Sequence, residues 1–286
     1  MSAPILITSP TTRSGTTLLQ RLVTSSENGI CYGEFAGRRI AELCEFVHRE
    51  MVLIQNNEER QAVEWNNVFS GHLDYWMVGL DLPGDFGKHA LVGALKFYRQ
   101  HYDEATRILE KEVWGVKVPK LEFTKVVGIA DLINDLKCIY IYRNPFDVIK
   151  SQKSSGWIST RQELIEACVE WVKNTDVIAA LKRKNFQNLP EMLHVVQYED
   201  LVLDPESNIR AIEAFAGLRG IRREVADKKV NIWITASQDE LEPAVSNREP
   251  EPLTPEEIAT IDAICGDRLQ VLYPDIESPA SSARFH

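Results

Sequence analysis

The chain has little with which to bind a metal or to staple itself together. Its five cysteines (Cys31, Cys44, Cys138, Cys168 and Cys265) form no C-x-x-C pair and are odd in number. That argues against a zinc site or a disulfide framework, and for a reducing compartment. The six histidines are scattered. Behind Met1-Ser-Ala-Pro-Ile-Leu6 there is no basic leader and no long apolar run, so neither a signal peptide nor a membrane anchor is read, and a cytoplasmic location is expected. Basic residues are in deficit, 32 Lys plus Arg against 42 Asp plus Glu, for a formal charge of −10. Nucleic acid and anionic membrane both demand a basic face, so neither is an expected partner. Any anion site must be built locally, against the global field. Internal repeats and low-complexity segments are also missing.

A length of 286 residues with 44% hydrophobic content suits one large α/β domain, burying roughly three-quarters of its unfolded surface. Short apolar runs predict strands over 4–8, 30–32, 114–118, 137–142 and 194–197, with helices between them favouring right-handed crossovers and a parallel sheet. Helical patterns cover 38–55, 87–112, 163–185 and 205–217, and another begins at Thr254 with Glu256 and Glu257 in its first turn. Residues 1–275 are expected to form a single domain, in which 38–112 are a mainly helical insertion on the substrate side. The polar tail 276–286 is expected to be disordered.

Arg143-Asn-Pro-Phe-Asp-Val-Ile-Lys-Ser151 reads as half of an anion clamp. A strand hands over to a helix here: Asn144 caps it, Pro145 opens it, and Ser151 lies two turns in, roughly 9 Å along the axis. The N-terminus supplies a second half. Ile5-Leu6-Ile7 is followed by Thr8-Ser-Pro-Thr-Thr-Arg-Ser-Gly-Thr-Thr17 and an amphipathic helix, a strand–turn–helix whose amides and dipole converge on an anion. It is not a Walker A loop, which would need glycine at Pro10 and lysine at Thr16. The cation sits instead at Arg13.

Together these elements resemble the sulfotransferases that use 3′-phosphoadenosine 5′-phosphosulfate (PAPS), in the style of the bacterial and tyrosylprotein branches. Arg13-Ser14-Gly15-Thr16-Thr17 and Arg143…Ser151 match that family's two phosphate-binding motifs in order. Trp114-Gly-Val-Lys117-Val-Pro119 looks like its lysine-bearing strand, and Tyr198-Glu199-Asp200-Leu201 like the segment whose tyrosine packs near adenine. The resemblance spans about residues 4–275 and implies a three-layer, P-loop-like α/β fold with a central parallel sheet.

It also implies PAPS as sulfuryl donor, with no metal. Arg13, Ser14, Gly15, Thr16, Thr17 and Leu18 would hold the 5′-phosphosulfate, and Arg143 and Ser151 the 3′-phosphate. Tyr198 would pack on adenine, and Arg248 would lie over the 3′-phosphate. Arg13 and Lys117 would stabilise the charge that grows during transfer. Glu34, in Cys31-Tyr-Gly-Glu-Phe35, would take the acceptor's proton, with His72 or His89 as the alternative base. Two departures stand out: Thr11-Thr12 replace the Gly and Pro that usually lead into the first motif, and Glu249-Pro-Glu-Pro252 replaces a glycine-rich loop. The acceptor stays open among a small molecule, a carbohydrate and a peptide, with Trp65, Phe69, Tyr75, Trp76 and Trp157 as candidate pocket walls. O- and N-sulfation are equally open, and so is the oligomeric state. The rivals are a small-molecule P-loop-type kinase and a non-catalytic nucleotide-binding protein.

Overall fold

A computed structural model describes residues 3–184, 190–226, 233–234, 243–244 and 252–274. Five parallel strands form its sheet: β1 (Ile5–Ser9), β2 (Gly29–Tyr32), β3 (Val113–Pro119), β4 (Lys137–Tyr142) and β5 (Leu193–Gln197). They lie in the order β2-β3-β1-β4-β5. All five are the strands expected from the apolar runs, shifted by no more than a residue or so at each end.

Side-chain alternation along each strand builds two apolar layers. Leu6, Val116, Cys138 and Tyr140 face one layer, covered by α2 (Glu34–Asn56), α5 (Phe123–Leu132), α7 (Arg161–Asn174) and α11 (Pro255–Leu272). Ile5, Ile7, Ile139 and Ile141 face the other, covered by α1 (Thr16–Ser25) and α10 (Pro205–Ala216). The result is a three-layer α/β fold with a parallel sheet in the middle.

The order of strands fixes where a site can form. From β1 the chain runs to β2 and β3 on one side of the sheet, then crosses to β4 and β5 on the other. The helices that follow β1 and β4 pack on opposite faces of the sheet, the arrangement at which ligands bind beyond the carboxyl ends of strands in open α/β sheets.

Local chemistry sets the helix starts. Asn144 accepts from the Phe146 amide at 2.9 Å, with Pro145 opening α6 (Pro145–Ser154). Thr254 and Glu257 form a reciprocal capping box at the start of α11. Gly217 (φ 67) ends α10 in the left-handed region.

Three helical expectations need correction. α2 begins at Glu34 rather than at 38 and packs on the sheet, so part of the supposed insertion belongs to the core. α4 (Phe86–Ile108) stops four residues short of 112, and α3 (Glu58–Phe69) precedes it. The segment 163–185 is not one helix, because α7 ends at Asn174 and α8 (Asp176–Arg183) follows Thr175. There the Thr175 hydroxyl bonds back to the Trp171 carbonyl at 2.7 Å, while the Asn174 amide donates to the Pro10 carbonyl at 2.8 Å. These local bonds compete with helix continuation. The expected tail over 276–286 lies outside the described residues.

Candidate functional site

Apart from Ser151, which lies two turns into α6, the expected site residues among the described residues lie at or just beyond the carboxyl edge of the sheet. Arg13 follows β1, Glu34 follows β2, Lys117 is near the end of β3, Arg143 follows β4, and Tyr198 follows β5, opening α9 (Tyr198–Leu203). Arg248 lies outside the described residues.

The loop after β1 is held from several directions. Ser9 Oγ donates to the Thr11 carbonyl at 2.7 Å, and the Thr11 and Ser14 hydroxyls pair at 3.0 Å. Gln152 of α6 donates to Thr12 Oγ1 at 3.1 Å, and Asn174 grips Pro10 as above. Two residues of the loop take left-handed backbone, Arg13 at φ 69 and Gly15 at φ 107. At Gly15 only glycine fits, since a Cβ would lie 2.5 Å from Tyr198 Cδ2 and 2.9 Å from Ile141 Cδ1. Gly15 then caps α1 with no side-chain bond, and the first turn of α1 holds no acidic residue. Its leading amides and positive dipole end are left for an anion. Thr16 and Leu18 are buried and Ser14 is fully enclosed, so their side chains serve the packing of the loop.

Two guanidiniums meet beside this loop. Arg13 Nε donates to Ser151 Oγ at 2.9 Å, and Arg143 Nη1 approaches the Arg13 carbonyl at 3.4 Å. Arg143 lies over the Tyr198 ring at 4.3 Å, and Arg13 over Trp157 at 5.5 Å. Neither forms a salt bridge among the described residues, and the buried Arg143 Nε has no hydrogen-bond partner there. Burial first, and then the charge of Arg143, hold the Arg13 guanidinium below its ordinary range. Two like charges are thereby held close together beside the loop. The Arg143 backbone is fixed by Trp171, whose indole donates to its carbonyl at 3.0 Å.

A second cluster forms on the β3 side. The Lys117 ammonium lies 3.0 Å from Glu34 and donates to Thr17 Oγ1 at 3.1 Å. Lys117 is 8% exposed and Glu34 57%, so a cation at the sheet edge holds a carboxylate that faces solvent. α2 can deliver Glu34 because Gly37 lets its first turn sit against the Lys117 carbonyl, 2.6 Å from where a Cβ would stand. Cys31 is no nucleophile here, since burial pushes its thiol up to about 12.

The geometry therefore brings Arg13, Arg143, Ser151 and Tyr198 together, and separately Lys117, Glu34 and Thr17. Arg13 lies against Ser151, on the side the sequence assigned to the other phosphate, and Tyr198 stacks on Arg143. His72 and His89 are exposed and no contact ties them to either cluster. Trp65 and Phe69 stack on each other at 5.4 Å, within the insertion. Sequence reasoning missed Gln152, Asn174 and Glu199, whose roles are visible only in contacts distant along the chain. Trp157 was named, but as an acceptor wall rather than as the partner of Arg13. Among the described residues, no His, Cys, Asp and Glu group could hold a metal, and no helix is long and apolar enough to cross a membrane.

Comparison with known proteins places these observations. The profile of the sulfotransferase family matches residues 4–221. Among solved structures, the chain is similar to the sulfotransferase domain from the curacin biosynthetic pathway (18% identity, 94% of this chain and 98% of that one, TM-score 0.48). It is also similar to a sulfotransferase from Alicyclobacillus acidocaldarius (15% identity, 99% and 100% covered, TM-score 0.47). A third is retinol dehydratase in complex with androsterone and inactive cofactor PAP (15% identity, 96% and 82% covered, TM-score 0.41). No curated protein sequence matches the chain.

Proposed function

Because this chain belongs to the sulfotransferase family, we propose that it moves a sulfuryl group from PAPS to a hydroxyl or amine of an acceptor. The observation that carries the donor assignment is the meeting of Arg13 and Arg143 at one crevice, with a 2.9 Å bond to Ser151 and a buried guanidinium nitrogen left unpartnered. A nucleotide with two separated phosphates suits that arrangement. The uncapped start of α1 suits the 5′-phosphate, and Arg143 with Ser151 suits the 3′-phosphate. Residues 1–275 act as one domain in this reading.

PAPS, when bound, supplies the sulfuryl group and a phosphate leaving group. The chain's own residues then divide the work. Glu34 accepts the acceptor's proton as the new bond to sulfur forms and the old sulfur–oxygen bond breaks, its electron pair remaining on the departing phosphate. Lys117, already paired with Glu34 and Thr17, is a compact cation for the oxygens that gain charge. Arg13 shares that role with a planar fork that never loses its proton. The acceptor approaches from the exposed side of Glu34 and Phe35, where a small molecule, a carbohydrate or a peptide side chain can enter.

The reading is tested by thermal unfolding with 3′-phosphoadenosine 5′-phosphate (PAP) against ATP–Mg²⁺, followed by mass detection of sulfated acceptors. PAP at 100 times its Kd should add about 2.7 kcal/mol of stability. Preferential stabilisation by ATP–Mg²⁺ would transfer the argument to a kinase. PAP binding without any turnover over a broad acceptor panel would leave a non-catalytic nucleotide-binding protein.

A further inference from the structure

Glu199 is a half-buried carboxylate that takes no part in the chemistry above, yet both of its oxygens are used. Oε1 accepts from the Asn144 amide at 2.9 Å, and Oε2 accepts from the Tyr273 hydroxyl at 2.9 Å. Asn144 is the cap of α6 and the residue next to Arg143, and Tyr198, next to Glu199, carries the Arg143 guanidinium on its ring at 4.3 Å. Tyr273 is the C-cap of α11 and is almost wholly buried, with its ring edge-on to Tyr142 at 5.6 Å. Burial raises the Glu199 pKa, opposed by its bonds to Asn144 and Tyr273 and by the Arg143 charge.

The Asn144 amide bonded to Glu199 precedes the first turn of α6 and belongs to the junction that aims Arg143. Tyr273 fixes the opposite oxygen and so stops the carboxylate from rotating away. A chain of contacts therefore runs from the end of the C-terminal helix to the guanidinium, although Tyr273 and Arg143 belong to distant segments of the sequence. A carboxylate placed this close to an anion site works against the anion unless it serves to orient something.

We propose that Glu199 and Tyr273 are positioning residues that set the Arg143 guanidinium for the 3′-phosphate, making the end of α11 a support of the donor site. The proposal rests on the PAPS reading above, and its test separates the two. Calorimetric Kd values are compared for PAP and for 5′-AMP, which lacks the 3′-phosphate. Tyr273→Phe removes one hydrogen bond to a charged group, and Glu199→Ala removes both. Each should weaken PAP by about tenfold while changing 5′-AMP by less than about twofold. Glu199→Gln keeps an acceptor for Asn144 and a partner for Tyr273, and should stay within about threefold of the parent for PAP.

Arg143→Ala is the control for the underlying reading: it should lose affinity for PAP and not for 5′-AMP. Without that loss the donor assignment itself falls. With that loss, Tyr273→Phe added to Arg143→Ala should have no further effect on PAP, the non-additivity expected of one chain of contacts. Equal weakening of both nucleotides by Tyr273→Phe and Glu199→Ala, or no weakening of PAP by either, overturns the proposal. Because Tyr273 is buried, melting temperatures are recorded for each variant. Should Tyr273→Phe fail to fold, the Glu199→Ala and Glu199→Gln pair decides the matter alone.

Discussion

Arg13 reaches across 138 positions of sequence to donate a 2.9 Å hydrogen bond to Ser151. A residue of the loop after β1 thus contacts the helix after β4, a relationship that follows from the neighbouring placement of those two strands. Arg13→Ala should lower kcat/KM about 10²- to 10³-fold, the usual loss for one preorganised donor. Arg13→Lys should recover only part, because an ammonium cannot bridge two oxygens in a plane. Steady-state sulfuryl transfer measures both, and near-parental turnover by Arg13→Ala would remove Arg13 from the chemistry.

Glu34 and Lys117 are predicted to act on the chemical step more than on donor binding. Glu34→Gln should reduce kcat by about 10²- to 10⁴-fold, the range for a positioned base. The KM for PAPS should change little, because the ion pair of Glu34 is with Lys117. Unchanged kcat would assign the base elsewhere.

Two glycines should respond in opposite directions to the same substitution. Gly15→Ala must place a Cβ 2.5 Å from Tyr198 at a backbone φ of 107, and should destabilise by about 1–3 kcal/mol while weakening nucleotide binding. Gly128, inside α5, has nothing within 4 Å of its Cβ position. There alanine should stabilise by about 0.5–1 kcal/mol. Denaturant unfolding of the two variants checks the pair.

Acid should cost stability at His194 before the carboxylates with lowered pKa values titrate. Burial lowers the pKa of His194, which stacks on Phe215 at 5.2 Å, below its ordinary 6.5. Below pH 6.5 the unfolded chain takes up a proton that the folded chain refuses, so stability falls as pH drops from the ordinary value toward the lowered one. Glu257 and Asp135, whose pKa values are lowered, act only in a more acidic window, below about 4.5. Melting temperatures between about pH 7.5 and 5 should decline for the parent and decline less for His194→Gln.

Much of this was legible because apolar runs and turn chemistry are local. Ile5–Ile7, Trp114–Val118 and Cys138–Tyr142 read directly as strands, and Asn144-Pro145 as a helix start. The loop after β1 was legible for the same reason, its Gly15 being required by φ 107. What was hidden depends on neighbours distant in sequence. Arg13 faces Ser151 because a parallel sheet sets β1 beside β4, and no local pattern states which way that side chain turns. The break at Thr175 was masked by a helical period that runs through it, and the Asn174 side chain beside it bonds to Pro10, a partner 164 positions away. The Lys117–Glu34 pair follows from β2 lying beside β3, an adjacency set by topology rather than by either motif.

A calorimetric titration of the parent and of Arg143→Ala with PAP, in the presence and absence of ATP–Mg²⁺, tests the whole account most directly. One PAP per chain, undisturbed by ATP–Mg²⁺ and lost on removal of the Arg143 guanidinium, is the predicted result. Equal PAP affinity in parent and variant, or displacement of PAP by ATP–Mg²⁺ at comparable concentration, would contradict it.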